Sequence, residues 1–275
     1  MIEIFGVNLK MRNPVPEGKT SFPQLEELLK GYEKLGIGSN EDTQVIVFAP
    51  HTYLDYIATS LRKNLGIRFN LGAQGCSEYN SGHNTAQMSP GELKELGVTH
   101  VLIESPEINP KSNLRKMINK TMEIDYKENR KMRSAIQQGL NVIYCIGEAV
   151  RQPDSMKRQA TIKRQIREGV FGLSRKELER LIIAYCPRWV RQSRDNQPES
   201  EIEETHSMIR FFMNYETGSL RKNISVIYGG SVSSVNAKQI MAIPGVNGAL
   251  VKKYLFENAC LKPEEFAKIV HYKTA

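Results

Sequence analysis

The chain has 275 residues, of which 40% are hydrophobic and 25% charged. These proportions exclude a disordered, collagen-like or disulfide-scaffold chain, and no apolar run reaches the ~18 residues that a membrane span requires. A formal charge of +8 favours anionic partners without naming one.

The first predicted strand is Ile2–Val7. The surrounding MIEIFGVNLKMRNP lacks the basic, apolar, small-residue order of a signal peptide, so a cytosolic protein is expected. Ser21-Phe22-Pro23-Gln24 then marks a helix start, with an N-cap serine, an early proline and a polar side chain three residues on. Strands follow at Val45–Ala49 and Phe69–Ala73, and Ser89-Pro90-Gly91-Glu92 is a second capping box. His100–Ile103 and Asn141–Cys145 are the fourth and fifth strands. Ser174-Arg175-Lys176-Glu177 is a third box, ahead of strands at Leu181–Tyr185, Ile224–Tyr228 and Gly248–Val251. The runs are rich in Val and Ile and mostly non-alternating, as in strands covered on both faces. Eight strands alternating with helices, without a low-complexity linker, predict an α/β fold: one (β/α)8 barrel over residues 1–275. A doubly wound open sheet would place a Gly-rich turn after its first strand, where Asn8-Leu9-Lys10-Met11 stands. Cys76, Cys145, Cys186 and Cys260 show no paired spacing and are expected to be reduced thiols. No metal and no cofactor is expected.

Barrels of this kind carry their chemistry at the carboxyl ends of the strands. There the sequence places Asn8 and Lys10, Gln74-Gly75-Cys76-Ser77, Glu104-Ser105-Pro106-Glu107, Cys145-Ile146-Gly147-Glu148, Cys186-Pro187-Arg188-Trp189, Gly229-Gly230-Ser231 and Lys252-Lys253. A lysine beside glycine–serine turns suits a small anion such as a sugar phosphate. The plainer alternative, in which the glycines only turn the chain and Lys10 only pairs with Glu107, stands level with it.

Asn8-Leu9-Lys10-Met11, Gly72-Ala73-Gln74-Gly75-Cys76, Cys145-Ile146-Gly147-Glu148, Ala184-Tyr185 with Pro187 and Trp189, and Tyr228-Gly229-Gly230-Ser231-Val232 together resemble the triosephosphate isomerase family. Weaker matches, including Glu204-Thr205-His206, extend the resemblance from the first strand to the last helix. It implies a barrel, usually a homodimer, descended from enzymes that interconvert dihydroxyacetone phosphate and glyceraldehyde 3-phosphate. Such enzymes pair a carboxylate base with a neutral imidazole electrophile, a pairing of which this family is itself the worked example.

Both groups are replaced here. The family's Gly-His-Ser-Glu-Arg-Arg reads Glu104-Ser105-Pro106-Glu107-Ile108-Asn109, so Ser105 stands for the histidine and Glu107 alone survives. Cys186 stands for the catalytic glutamate. Lys252-Lys253 replaces a glycine pair through which backbone N–H groups would approach phosphate. The family's Ala-Ile-Gly-Thr-Gly lid is Val190-Arg191-Gln192-Ser193-Arg194. By the resemblance, the catalytic positions are Asn8, Lys10, Ser105, Glu107 and Cys186, and the substrate-binding positions are Ser193, Gly230, Ser231, Lys252 and Lys253.

Losing a general base and an electrostatic stabiliser together costs roughly 10⁴–10⁷ in rate, so isomerase activity is expected to be absent or vestigial. The alternatives are a sugar-phosphate enzyme rebuilt around Cys186, Glu104 or Glu107, and a weak but genuine isomerase. Glu104 puts a carboxylate where the family has glycine, and it is expected to pair with Arg188, Lys252 or Lys253. The basic residues between Lys111 and Arg133, with Lys157, Arg158, Lys163, Arg164 and Arg167, lack interleaved aromatics, so nucleic acid is not the expected partner. A small phosphorylated or otherwise anionic ligand is. The resemblance further implies a homodimer through Gly75–Ser89, with Thr85 reaching the partner's Asn8.

Overall fold

Val- and Ile-rich runs form the eight predicted parallel strands: β1 (Glu3–Asn8), β2 (Thr43–Ala49), β3 (Asn70–Ala73), β4 (His100–Glu104), β5 (Asn141–Ile146), β6 (Leu181–Tyr185), β7 (Val226–Tyr228) and β8 (Gly248–Val251). In this computed structural model, which describes residues 2–10, 22–63, 68–85, 87–105, 126–151, 154–193, 197–218, 223–251, 256–257 and 260–274, they pair in sequence order as a closed barrel. Closure is made by β8 against β1, with Ile4 opposite Gly248 and Val7 opposite Val251.

Side chains alternate between two buried layers, because successive residues of a strand face opposite sides. Ile46, Phe48, Leu102, Ile143, Ile182 and Leu250 fill the barrel interior. Val101, Ile103, Tyr144, Tyr185 and Tyr228 face outward and pack under the helices. Phe48 fits inside only because Gly6 and Gly72 carry no side chain; a Cβ at either would meet its ring.

The helices are α1 (Phe22–Lys34), α2 (His51–Lys63), α3 (Pro90–Glu95), α4 (Lys127–Gln137), α5 (Ser155–Val170), α6 (Arg175–Leu178), α7 (Arg188–Ser193), α8 (Glu199–Glu216), α9 (Ala237–Ala242) and α10 (Pro263–Val270). Ser89 and Ser174 form the reciprocal boxes expected of them, each side chain meeting the N3 amide while Glu92 or Glu177 reaches back. The second box opens only the single turn of α6. Ser21 lies outside the described residues, directly before α1. Two features differ from the sequence reading. Asp154 caps α5, its carboxylate accepting from the Met156 amide at 2.9 Å. After β8 comes a two-residue antiparallel pair, β9 (Phe256–Glu257) with β10 (Cys260–Leu261), too short to show any period. Among the described residues, no helix is long and apolar enough to cross a membrane, and no cluster of His, Cys, Asp or Glu is arranged to hold a metal.

Candidate functional site

Strand alternation decides which residues reach the barrel mouth. On β1, Asn8 continues the inward row of Ile4 and is buried. Its Oδ1 accepts from the Lys10 amide at 3.0 Å and from Gln74 Nε2 at 3.0 Å. These bonds hold Lys10 at φ 58°, the one left-handed non-glycine residue among those described. That conformation costs roughly 1–2 kcal/mol for a residue with a Cβ, and strain of this kind gathers at functional sites.

Glu104 follows Leu102 on the inward face of β4 and lies opposite Cys145 in register. Its Oε1 stands 3.6 Å from Lys10 Nζ, and both side chains are about one-third exposed, 34% and 37%. The sequence reading expected Arg188, Lys252 or Lys253 beside this carboxylate; the structure brings Lys10 to it, and Lys252 and Lys253 lie outside the described residues. Gln74, which the sequence marks only as part of a motif, holds the Asn8 side chain.

Ser105 is one residue further on and turns to the other side. Its amide donates to the Cys145 carbonyl at 2.9 Å. Its buried Oγ makes no hydrogen bond of good geometry among the described residues. Cys186 lies inward beyond Ile182 and Ala184, fully buried among interior side chains. Its amide donates to the Ile146 carbonyl at 2.7 Å, and a Cβ at Gly229 would collide with its Sγ. Gly230 leaves room for the Tyr228 hydroxyl. Ser231 is buried, and its carbonyl accepts from Asn236 Nδ2 at 2.8 Å. Ser193 ends α7; its side chain, like Glu107, Lys252 and Lys253, lies outside what is described.

Three imidazoles are engaged elsewhere. His51, exposed on the rim at the start of α2, contacts the Gly75 carbonyl through Nε2 at 3.1 Å. His100 is buried at the amino end of β4, and burial drives its pKa to about 4. His206, on α8, sits edge-on to Tyr185 with ring centroids 6.0 Å apart; burial drives its pKa to about 3, although the Gly245 carbonyl acts against that.

Beside the β5 and β6 ends runs a buried polar chain that sequence reasoning did not assemble. Gln197 donates to the Tyr185 hydroxyl at 3.0 Å and accepts from the Tyr228 hydroxyl at 3.3 Å. Tyr185 in turn donates to Glu148 at 3.2 Å. Burial raises the Glu148 carboxyl, opposed by its hydrogen bonds and by the Arg158 guanidinium. Arg158 itself bonds Glu204 at 2.5 Å. Three other basic residues are similarly occupied: Arg130 pairs with Glu78, Arg133 with Glu177 at 3.7 Å, and Arg164 with Glu168 at 3.0 Å. Lys163 instead lies over Tyr215, 5.3 Å from the ring centroid. The base of the 75–89 loop is braced on the chain's own α4 by Glu78–Arg130 and by Ser134 donating to Asn80 at 3.0 Å. Tyr79 and Thr85 remain exposed.

The family model described as triosephosphate isomerase matches residues 3–273. The chain belongs to the triosephosphate isomerase family. The triosephosphate isomerase of Dictyoglomus thermophilum is 32% identical to it over 271 residues, 98% of each chain. That of Geotalea uraniireducens is 32% identical over 269 residues, covering 95% of this chain and 99% of the relative. The crystal structure of triosephosphate isomerase from Bartonella henselae superposes with a TM-score of 0.74 at 26% identity, covering both chains completely. At the mouth the structure brings together Asn8, Lys10 and Glu104.

Proposed function

We propose that this member of the triosephosphate isomerase family does not interconvert triose phosphates, and acts as a cytosolic homodimeric binding barrel for a small ligand. The observation that carries the reading is the mouth pairing, in which the Lys10 ammonium faces a carboxylate of its own chain at 3.6 Å. Isomerisation by a proton shuttle needs a base poised over the substrate carbon and a polarising donor at its oxygens. At the matching positions stand a thiol buried in the barrel interior and a serine hydroxyl. The exposed Tyr79 and Thr85 on a loop braced at its base support docking of that loop into a second copy.

Turnover of dihydroxyacetone phosphate and of glyceraldehyde 3-phosphate at micromolar protein tests the reading. No rate above buffer is expected. A rate that disappears in Lys10→Met would overturn it. The position of Glu104 favours one alternative, a rebuilt sugar-phosphate enzyme with that carboxylate as base. It predicts turnover of another phosphorylated sugar, lost in Glu104→Gln.

A further inference from the structure

Resting on the reading above, we infer that Glu104 is an internal anion: it occupies Lys10 and bars phosphate-bearing ligands from the mouth, leaving it selective for uncharged small molecules. Three observations combine. Glu104 reaches Lys10 from the inward face of the fourth strand, across the opening. The Lys10 backbone is fixed in the left-handed region by the Asn8 side chain, which Gln74 holds in turn, so the root of the lysine side chain is set at the mouth. Finally, both partners are about one-third exposed, so their contact lies at the opening itself. A ligand anion arriving there meets a cation already paired with a carboxylate, and that carboxylate's like charge a few ångströms away. Like charges at that separation repel substantially in the intermediate dielectric of a protein surface. A neutral ligand suffers neither penalty and finds two polar groups with which to hydrogen-bond.

Titration calorimetry at low ionic strength tests this, with inorganic phosphate and glycerol 3-phosphate as probes. The wild type and Glu104→Asp, which keeps the charge, are expected to bind both probes at least about tenfold more weakly than Glu104→Gln. The gain should vanish when Lys10→Met is added to Glu104→Gln. Glu104→Gly serves as a second neutral variant should the glutamine disturb folding, with melting curves reporting on the fold of each. Equal binding by wild type and the neutral variants, whether tight or absent, overturns the inference; so does a gain that survives loss of Lys10. Triose-phosphate turnover by the wild type would sink the functional reading instead, and calorimetry would still report separately on what Glu104 does.

Discussion

Two buried rings make the molecule sensitive to acid. His206 and His100 are held neutral, with pKa values near 3 and 4 because burial penalises their charged forms. In the unfolded chain they take up protons near the ordinary value of 6.5. The stability they contribute is therefore complete above about pH 6.5 and is lost as pH falls toward the folded values, at roughly 1.4 kcal/mol per unit for each ring. Glu148 acts in the opposite sense: its folded pKa is raised by burial, so its contribution is present at low pH and fades as pH rises through the folded value. Two histidines against one carboxylate set the net sign. Urea denaturation is expected to give a free energy of unfolding roughly 2–4 kcal/mol lower at pH 5 than at pH 7.5, with the slope reduced in His206→Asn. A flat profile would count against neutral rings. None of this burial was visible in composition, since a histidine reads alike in a rim position such as His51 and in a core position such as His206.

The elements divide by how local their causes are. The strands were legible because β-branched runs covered on both faces need no partner to identify them, and all eight form where expected within a few residues. The starts of α3 and α6 were legible because a capping box spans four residues. Replacing Ser89 with alanine removes the acceptor for the Glu92 amide and should cost about 1 kcal/mol, measured as a lower urea midpoint at unchanged slope. The Asp154 cap was missed because Pro153 and its neighbours announce no Glu at N3, and β9 with β10 because two residues carry no period. Distance along the chain hid the rest. Gln197 joins Tyr185 to Tyr228 across three segments, and nothing in its neighbours marks it. Glu104 was visible as an anomaly, but Lys10 lies far from it along the chain, two residues beyond the end of β1.

At the scale of the whole molecule, the 75–89 loop predicts the assembly. Sedimentation equilibrium at micromolar concentration should give twice the 31.2 kDa chain mass, and Thr85→Arg should shift the distribution toward monomer; a monomeric wild type would remove the dimer. A two-fold arrangement makes each copy's contact the mirror of the other's role, so one substitution acts twice. One further consequence follows from the amide of Asn8. Because that side chain grips the main chain of Lys10 rather than its ammonium, the root of the lysine side chain is placed independently of Glu104. Neutralising the carboxylate would leave that backbone set while removing the charge 3.6 Å from the ammonium. The inferred phosphate block then resides in one side chain, set beside a lysine whose footing does not depend on it.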